Sequence, residues 1–145
     1  MKISRIRDVK IPTRGTPKSA GIDFFVPNDY PELILLPGNS ALIPTGIKAD
    51  IPTGYMLTAF NKSGVATKQL LIKGAEVCDE DYQGEIHIHV INVGTTDQLI
   101  TPGQKLIQFV LVPVFYDIIE DVPFEELYSE TTERGEGGFG STGTH

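Results

Sequence analysis

Residues 85–93 read EIHIHVINV, and the order of these side chains decides the fold class. Ile86, Ile88 and Val90 alternate with Glu85, His87, His89 and Ile91. A period of two puts the first set on one face of an extended strand and the second on the other. Outward from this strand lie further short apolar runs: FFV at 24–26, LILL at 33–36, ALIPTGI at 41–47, YMLTAF at 55–60, KLIQFVLVPVF at 105–115 and YDII at 116–119. Fifteen glycines and ten prolines are spread between and around them. Runs this short, closed off by turn residues, predict strands. The 105–115 segment does not alternate, because Leu106, Ile107 and Phe109 through Val112 are nearly continuous. That pattern predicts a strand covered on both faces, and in a chain this small one of those faces fits a subunit contact. Helix is confined to GVATKQLL after Ser63, enough for two turns, and to a short turn at Phe124–Tyr128. Glycines 54, 64, 74, 84 and 94 recur every ten residues, but their neighbours do not repeat, so the spacing is strand plus turn and not a sequence repeat. The expected fold class is all-β, a jelly-roll-like barrel or sandwich with one short helix.

The chain has 145 residues, 40% of them hydrophobic and 21% charged, the make-up of one globular domain with a core of its own. Its formal net charge of −7 argues against a general nucleic-acid binder, which needs a basic footprint. A polyanionic ligand would therefore need local positive charge or a metal. Cys78 is the only cysteine, which excludes an internal disulfide framework and a multi-cysteine zinc site. No apolar run approaches the ~20 residues of a membrane span. The opening MKISRIRDVK is basic without a hydrophobic stretch behind it, so no signal peptide is expected and the cytoplasm is the expected compartment. Residues 134–145, RGEGGFGSTGTH, hold five of the fifteen glycines and read as a flexible tail beyond a 1–133 β domain.

Five segments carry candidate chemistry. In the tail, glycine backbone can approach a phosphate closely, Arg134 adds a planar cation, Phe139 suits stacking on a base, and Ser141 and Thr142 add hydroxyl donors. Asn61-Lys62-Ser63-Gly64 places a cation, a hydroxyl and a glycine at the start of the short helix, which suits an anion; a plain N-cap by Ser63 is the simpler reading. Cys78-Asp79-Glu80-Asp81-Tyr82-Gln83-Gly84 gathers three acids beside an aromatic, enough for a general base or a metal, or for an ordinary acidic turn. Ala20-Gly21-Ile22-Asp23-Phe24 sets one acid between apolar residues, where a turn or cap role is the common one. His87 and His89 share a strand face, but without a third clustered ligand they read as surface histidines. Cys78 reads as a small buried hydrophobe.

Together these segments resemble the five motifs of the trimeric all-β dUTPase family. AGIDFF is similar to the first, NKSGVA to the second, GAEVCDEDYQGEI to the third, GQKLIQF to the fourth and RGEGGFGSTG to the fifth, in family order from residue 20 to residue 143. The resemblance implies a homotrimer with active sites at subunit interfaces, hydrolysing dUTP to dUMP and pyrophosphate with Mg²⁺ on the triphosphate. It implies that Asp79 activates the attacking water and that Tyr82 packs under the deoxyribose. It places Glu76, Val77 and Cys78 where hairpin backbone reads the uracil edge, with His87 lining the same pocket. Lys62, Ser63, Gly64 and Gln108 match phosphate contacts, and Asp23 matches the acid that holds metal-bound waters. Arg134 matches the tail arginine, Phe139 the aromatic that closes over uracil, and Gly140, Ser141 and Thr142 the residues around the terminal phosphates.

The chain departs from the family pattern in three places. Asn61-Lys62-Ser63 stands where Pro-Arg-Ser is usual, which keeps the charge and loses the bidentate fork. Glu76 stands where small residues are common, and must point away from a polyanion. Gln83 replaces a frequent arginine. Two other readings compete. The related dCTP deaminases use a glutamate base at the position of His89, so that chemistry is disfavoured. A nucleotide-gated regulatory or signalling module on the same scaffold is the non-enzymatic alternative.

Overall fold

A computed structural model describes residues 1–138 and 141. The described residues form twelve strands and two short helices. In chain order these are β1 (Lys2–Arg5), β2 (Thr13–Arg14), β3 (Ile22–Asp23), β4 (Leu33–Leu35), β5 (Ser40–Pro44), β6 (Ile47–Asp50) and β7 (Tyr55–Asn61), then α1 (Ser63–Lys68). They are followed by β8 (Leu71–Lys73), β9 (Val77–Cys78), β10 (His87–Asn92), β11 (Gln98–Ile100), β12 (Ile107–Pro113) and α2 (Phe124–Leu127). The largest sheet has the order β2-β3-β12-β7-β9, and a second sheet has the order β5-β10-β8. Two ribbons, β1-β6 and β4-β11, complete the set. Every pairing is antiparallel. The all-β expectation holds.

The alternation of β10 is realised as read: Ile86, Ile88 and Val90 are buried and His87, His89 and Ile91 are half-buried. These apolar side chains join Phe24, Leu57, Ile107 and Phe109 in one core cluster. Phe24 and Phe109 meet at 4.6 Å between ring centroids with a 55° tilt. Burying each such side chain contributes roughly 1.5–3 kcal/mol. Polar groups inside are satisfied. The Thr45 hydroxyl donates to the Ile86 carbonyl at 2.6 Å, and the Asn92 amide donates to the carbonyls of Leu35 and Thr96 at 2.9 and 2.8 Å.

Three expectations change. FFV at 24–26 is buried but is not strand; the ladder occupies Ile22–Asp23 instead, opposite Phe109 and Gln108. YDII at 116–119 is not strand either, since the Asp117 carboxylate takes the Ile118 N–H at 2.9 Å and Ile118 and Ile119 stay 88% and 97% exposed. Ser63 is not the helix cap. Lys62 holds that position without a side-chain capping bond, and Ser63 opens the first turn of α1. The chain divides into two compact units, Met1–Phe115 and Tyr116–His145. The first holds the whole core. The second carries α2, at the turn expected for Phe124–Tyr128.

Candidate active site

Two constellations stand in the first unit. The first is a cleft of about 250 Å³ lined by Glu76, Val77, Cys78, Asp79, Tyr82 and His87, with Leu42, Ala75, Glu85, His89 and Phe109 completing its walls. β9 supplies Val77 and Cys78 because it pairs with β7, Leu57 opposite Cys78 and Thr58 opposite Val77. β10 supplies the histidines because its apolar face is committed to the core. Between them the chain turns: the Tyr82 N–H donates to the Asp79 carbonyl at 3.2 Å and the Tyr82 hydroxyl to the Glu85 carbonyl at 2.9 Å. These bonds hold the tyrosine ring and place Asp79, which is exposed, at the cleft.

The electrostatics sort the residues. Burial, and then the charge of Asp79, push the Cys78 thiol up, so it stays protonated and inert. Glu76 pairs with Lys73, three residues earlier, which directs and neutralises the unexpected carboxylate. The His87 Nδ1–H donates to the Glu85 carbonyl at 2.8 Å. The Glu85 carboxylate accepts from Arg7 Nε at 2.9 Å and from the Gly46 N–H at 2.7 Å. Burial pushes the Glu85 carboxyl up, but the Arg7 and Gly46 hydrogen bonds outweigh it and hold it below the usual range. A depressed carboxyl stabilises the fold above its unfolded value, and that contribution is lost as pH falls through the folded value. Glu85→Gln is therefore expected to lower the urea midpoint at pH 7 and to narrow its drop on going below about pH 4. Parallel midpoint–pH curves for the two proteins would show that the bridge carries no linkage.

The second constellation joins β3, β7, α1 and β12. Gln108 lies opposite both Asp23 and Phe60 in the ladder, and Ile107 lies opposite Asn61. That register gathers the first, second and fourth motif segments into one place. The Gln108 amide donates to the Asn61 carbonyl at 2.8 Å, and it packs so tightly on Gly21 that a β-carbon there would lie 1.9 Å from its oxygen. Asp23 is only 5% exposed and is held between two cations. Lys62 Nζ donates to one carboxylate oxygen and Lys105 Nζ to the other at 2.9 Å. Burial pushes the Asp23 carboxyl up, and the hydrogen bonds from the two lysines more than reverse it. Ser63 and Gly64 are exposed in the first turn of α1, whose leading N–H groups have no partner within the helix.

The structure thus brings Glu76, Val77, Cys78, Asp79, Tyr82 and His87 together in one place and Asp23, Lys62, Ser63, Gly64 and Gln108 in another. Arg134 and Ser141 lie in the second unit, where Arg134 Nε donates to the Gly137 carbonyl at 2.8 Å. Phe139, Gly140 and Thr142 fall outside the described residues. Lys105 and Glu85 carry no role in the sequence reading, and His89, read there as a surface histidine, is half-buried in the cleft wall. For Lys105 the signal was present, a cation three residues before Gln108 within GQKLIQF. Among the described residues no group of three or more His, Cys, Asp or Glu is placed to hold a metal, and no helix is long and apolar enough to cross a membrane.

Comparison with known proteins adds a second line of observation. The family model described as dUTPase matches residues 7–143. A deoxyuridine 5'-triphosphate nucleotidohydrolase from Chlamydia pneumoniae is 42% identical over 136 residues, 92% of this chain and 91% of the relative. One of the same name from Anaplasma marginale is 39% identical over 137 residues, 92% and 89% of the two chains. Among solved structures, a Staphylococcus bacteriophage 80alpha dUTPase with dUPNHPP superposes with a TM-score of 0.87, covering 99% of this chain and 98% of that one, at 24% identity. At that identity the superposition establishes the fold, and the sequence matches carry the family. With motif segments gathered as described and relatives aligned over nearly the whole length, the chain belongs to the dUTPase family, a family of dUTP diphosphatases.

Proposed function

We propose that this chain hydrolyses dUTP to dUMP and pyrophosphate by in-line attack of water on the α-phosphorus. The observation that carries this reading is the cleft wall. Backbone from Glu76 to Cys78, an exposed carboxylate at Asp79 and the fixed ring of Tyr82 line one cavity. Asp79 takes the proton of the attacking water as the Pα–O bond to pyrophosphate breaks, a role typically contributing ~10²–10⁴-fold. The wall's backbone pairs with the uracil edge, and cytosine would leave those groups unpaired. Close packing rejects a 5-methyl group, and Tyr82 leaves no room for a 2′-hydroxyl. His87 lines the same pocket. Lys62, Ser63, Gly64 and Gln108 contact phosphate, and Arg134, Gly140, Ser141 and Thr142 enclose the terminal phosphates, with Phe139 over the base.

Mg²⁺ fits this donor set in one way. Mg²⁺ favours phosphate and water oxygens over an all-protein cage. A carboxylate offers about four lone-pair sites, so two lysines leave Asp23 able to accept from metal-bound water. When bound, the ion would neutralise charge developing on the leaving pyrophosphate. This chain's own contribution is the pair of ammonium groups on Asp23 and the hydroxyl and N–H donors of α1.

The base cleft and the Asp23 cluster stand at different places in one chain, β9 at the edge of the sheet and β3 beyond β12. This supports a homotrimer in which each site is completed across a subunit interface. The exposed Phe115, Ile118, Ile119 and Phe124 supply apolar surface for such contacts. In the cytoplasm the reaction would limit uracil entry into DNA and supply dUMP for dTTP synthesis.

The test is pyrophosphate release with Mg²⁺ from dUTP, dCTP, dTTP and UTP offered separately. Release from dUTP at least about 100-fold faster than from the others is expected, since a site built to pair one base edge rejects its analogues at that scale or beyond. Equal release from dCTP or UTP would remove the proposed base and sugar selection.

A further inference from the structure

His89 stands on β10 beside the base cleft, and the reading above gives it no part. Its ring Nδ1 accepts the Ala75 N–H at 2.8 Å, and its carbonyl accepts the Gly74 N–H at 2.8 Å. One residue thus holds two successive amides where β8 ends and the cleft wall begins. The imidazole lies flush on Gly74: a β-carbon there would stand 2.0 Å from Nδ1, so only glycine admits the ring. On the other side the wall is tied to β7, the Ala59 N–H donating to the Glu76 carbonyl at 2.8 Å. The backbone of Glu76, Val77 and Cys78 is therefore suspended between β7 and His89.

We propose that His89 is a positioning residue for base recognition, holding the cleft wall through its Nδ1 acceptor. This rests on the dUTP reading and deepens it. Acceptance at Nδ1 fixes the neutral tautomer with its hydrogen on Nε2, the opposite of His87, whose Nδ1 donates. The groups around it are as follows. Glu85 and His87 share its strand face. Glu76, paired to Lys73 of β8, Cys78, Asp79 and Tyr82 come from the wall and turn. β5 presents Leu42 opposite His89, and β12 presents Phe109, neither of them titratable.

Two variants separate the acceptor from mere volume. In His89→Asn the amide oxygen stands where Nδ1 stood and can accept the Ala75 N–H, whereas His89→Leu fills space without accepting. KM and kcat for dUTP would be measured for both variants and the unsubstituted protein at one fixed pH. Exchange of the Ala75 amide would be measured without nucleotide. His89→Leu is expected to raise KM about three- to tenfold, the scale of one net hydrogen bond, with kcat nearly unchanged. Ala75 exchange would speed up in that variant. His89→Asn would keep KM within about twofold of the unsubstituted protein. Equal KM increases in both variants would overturn the proposal. So would unchanged Ala75 exchange in His89→Leu. If the unsubstituted protein released no pyrophosphate from dUTP, the substrate reading would fail, while Ala75 exchange would still decide the clamp.

Discussion

Asp79→Asn lowers kcat for dUTP by about 10²–10⁴-fold while leaving KM and thermal stability close to those of the unsubstituted protein; this is the expected result if Asp79 is the base. Three acids stand together here, and the structure separates them. Asp79 lines the cleft proposed for the base. The Glu80 carboxylate accepts the Gly54 N–H and faces a different hollow, beside β1 and β6. Asp81 is exposed and lines neither. The turn that carries Asp79 uses its carbonyl, not its side chain, so the isosteric amide leaves the turn and the Tyr82 ring in place. Burst-free steady-state pyrophosphate release, together with a melting curve, reads both halves. Near-normal kcat in Asp79→Asn would take the base role from this residue. A large loss accompanied by a lowered melting temperature would show a structural defect instead.

Removal of residues 134–145 is expected to cost about 10²-fold or more in kcat/KM, the scale at which lost positioning and charge stabilisation act together. The fold should not notice, because every core residue lies in Met1–Phe115. The loss should fall on the triphosphate, through Arg134 and the hydroxyl and N–H donors after it. A truncated protein that keeps both its melting temperature and near-normal turnover would remove the tail from the mechanism. A matching test with Arg134→Gln, measured at saturating nucleotide, separates the arginine from the backbone around it.

What could be read in the sequence followed from how local each signal was. The strand at 85–93 announced itself because alternation needs only neighbours. The cleft residues from Glu76 to Tyr82 could be named because one motif carries them within a dozen positions, with His87 just beyond its end. The partners of Asp23 and Glu85 could not be read in this way. Lys105 and Asp23 are 82 residues apart and Arg7 and Glu85 are 78, and a pairing at that range leaves no mark in either segment. His89 was visible as a residue but not as a clamp, since its meaning depends on which amide β8 delivers to it. The misread at 116–119 has a related cause. Apolar and β-branched composition marks a strand only when a ladder partner exists, and residues 116–119 join no ladder among the described residues.

The position of β12 has a bearing on how the protein can be made. It is the last strand among the described residues, yet it lies inside the largest sheet, between β3 and β7. On a ribosome the β2-β3 and β7-β9 pairs emerge first, with no common neighbour to join them. Each waits with an open edge until the final third of the chain arrives and slots between. Loop closure over such distances is entropically slow, and the unpaired edges meanwhile invite pairing with other chains. The Asp23 cluster, which needs β3 and β12 side by side, therefore forms only as the sheet closes. No nascent intermediate that lacks β12 should assemble the proposed phosphate contacts.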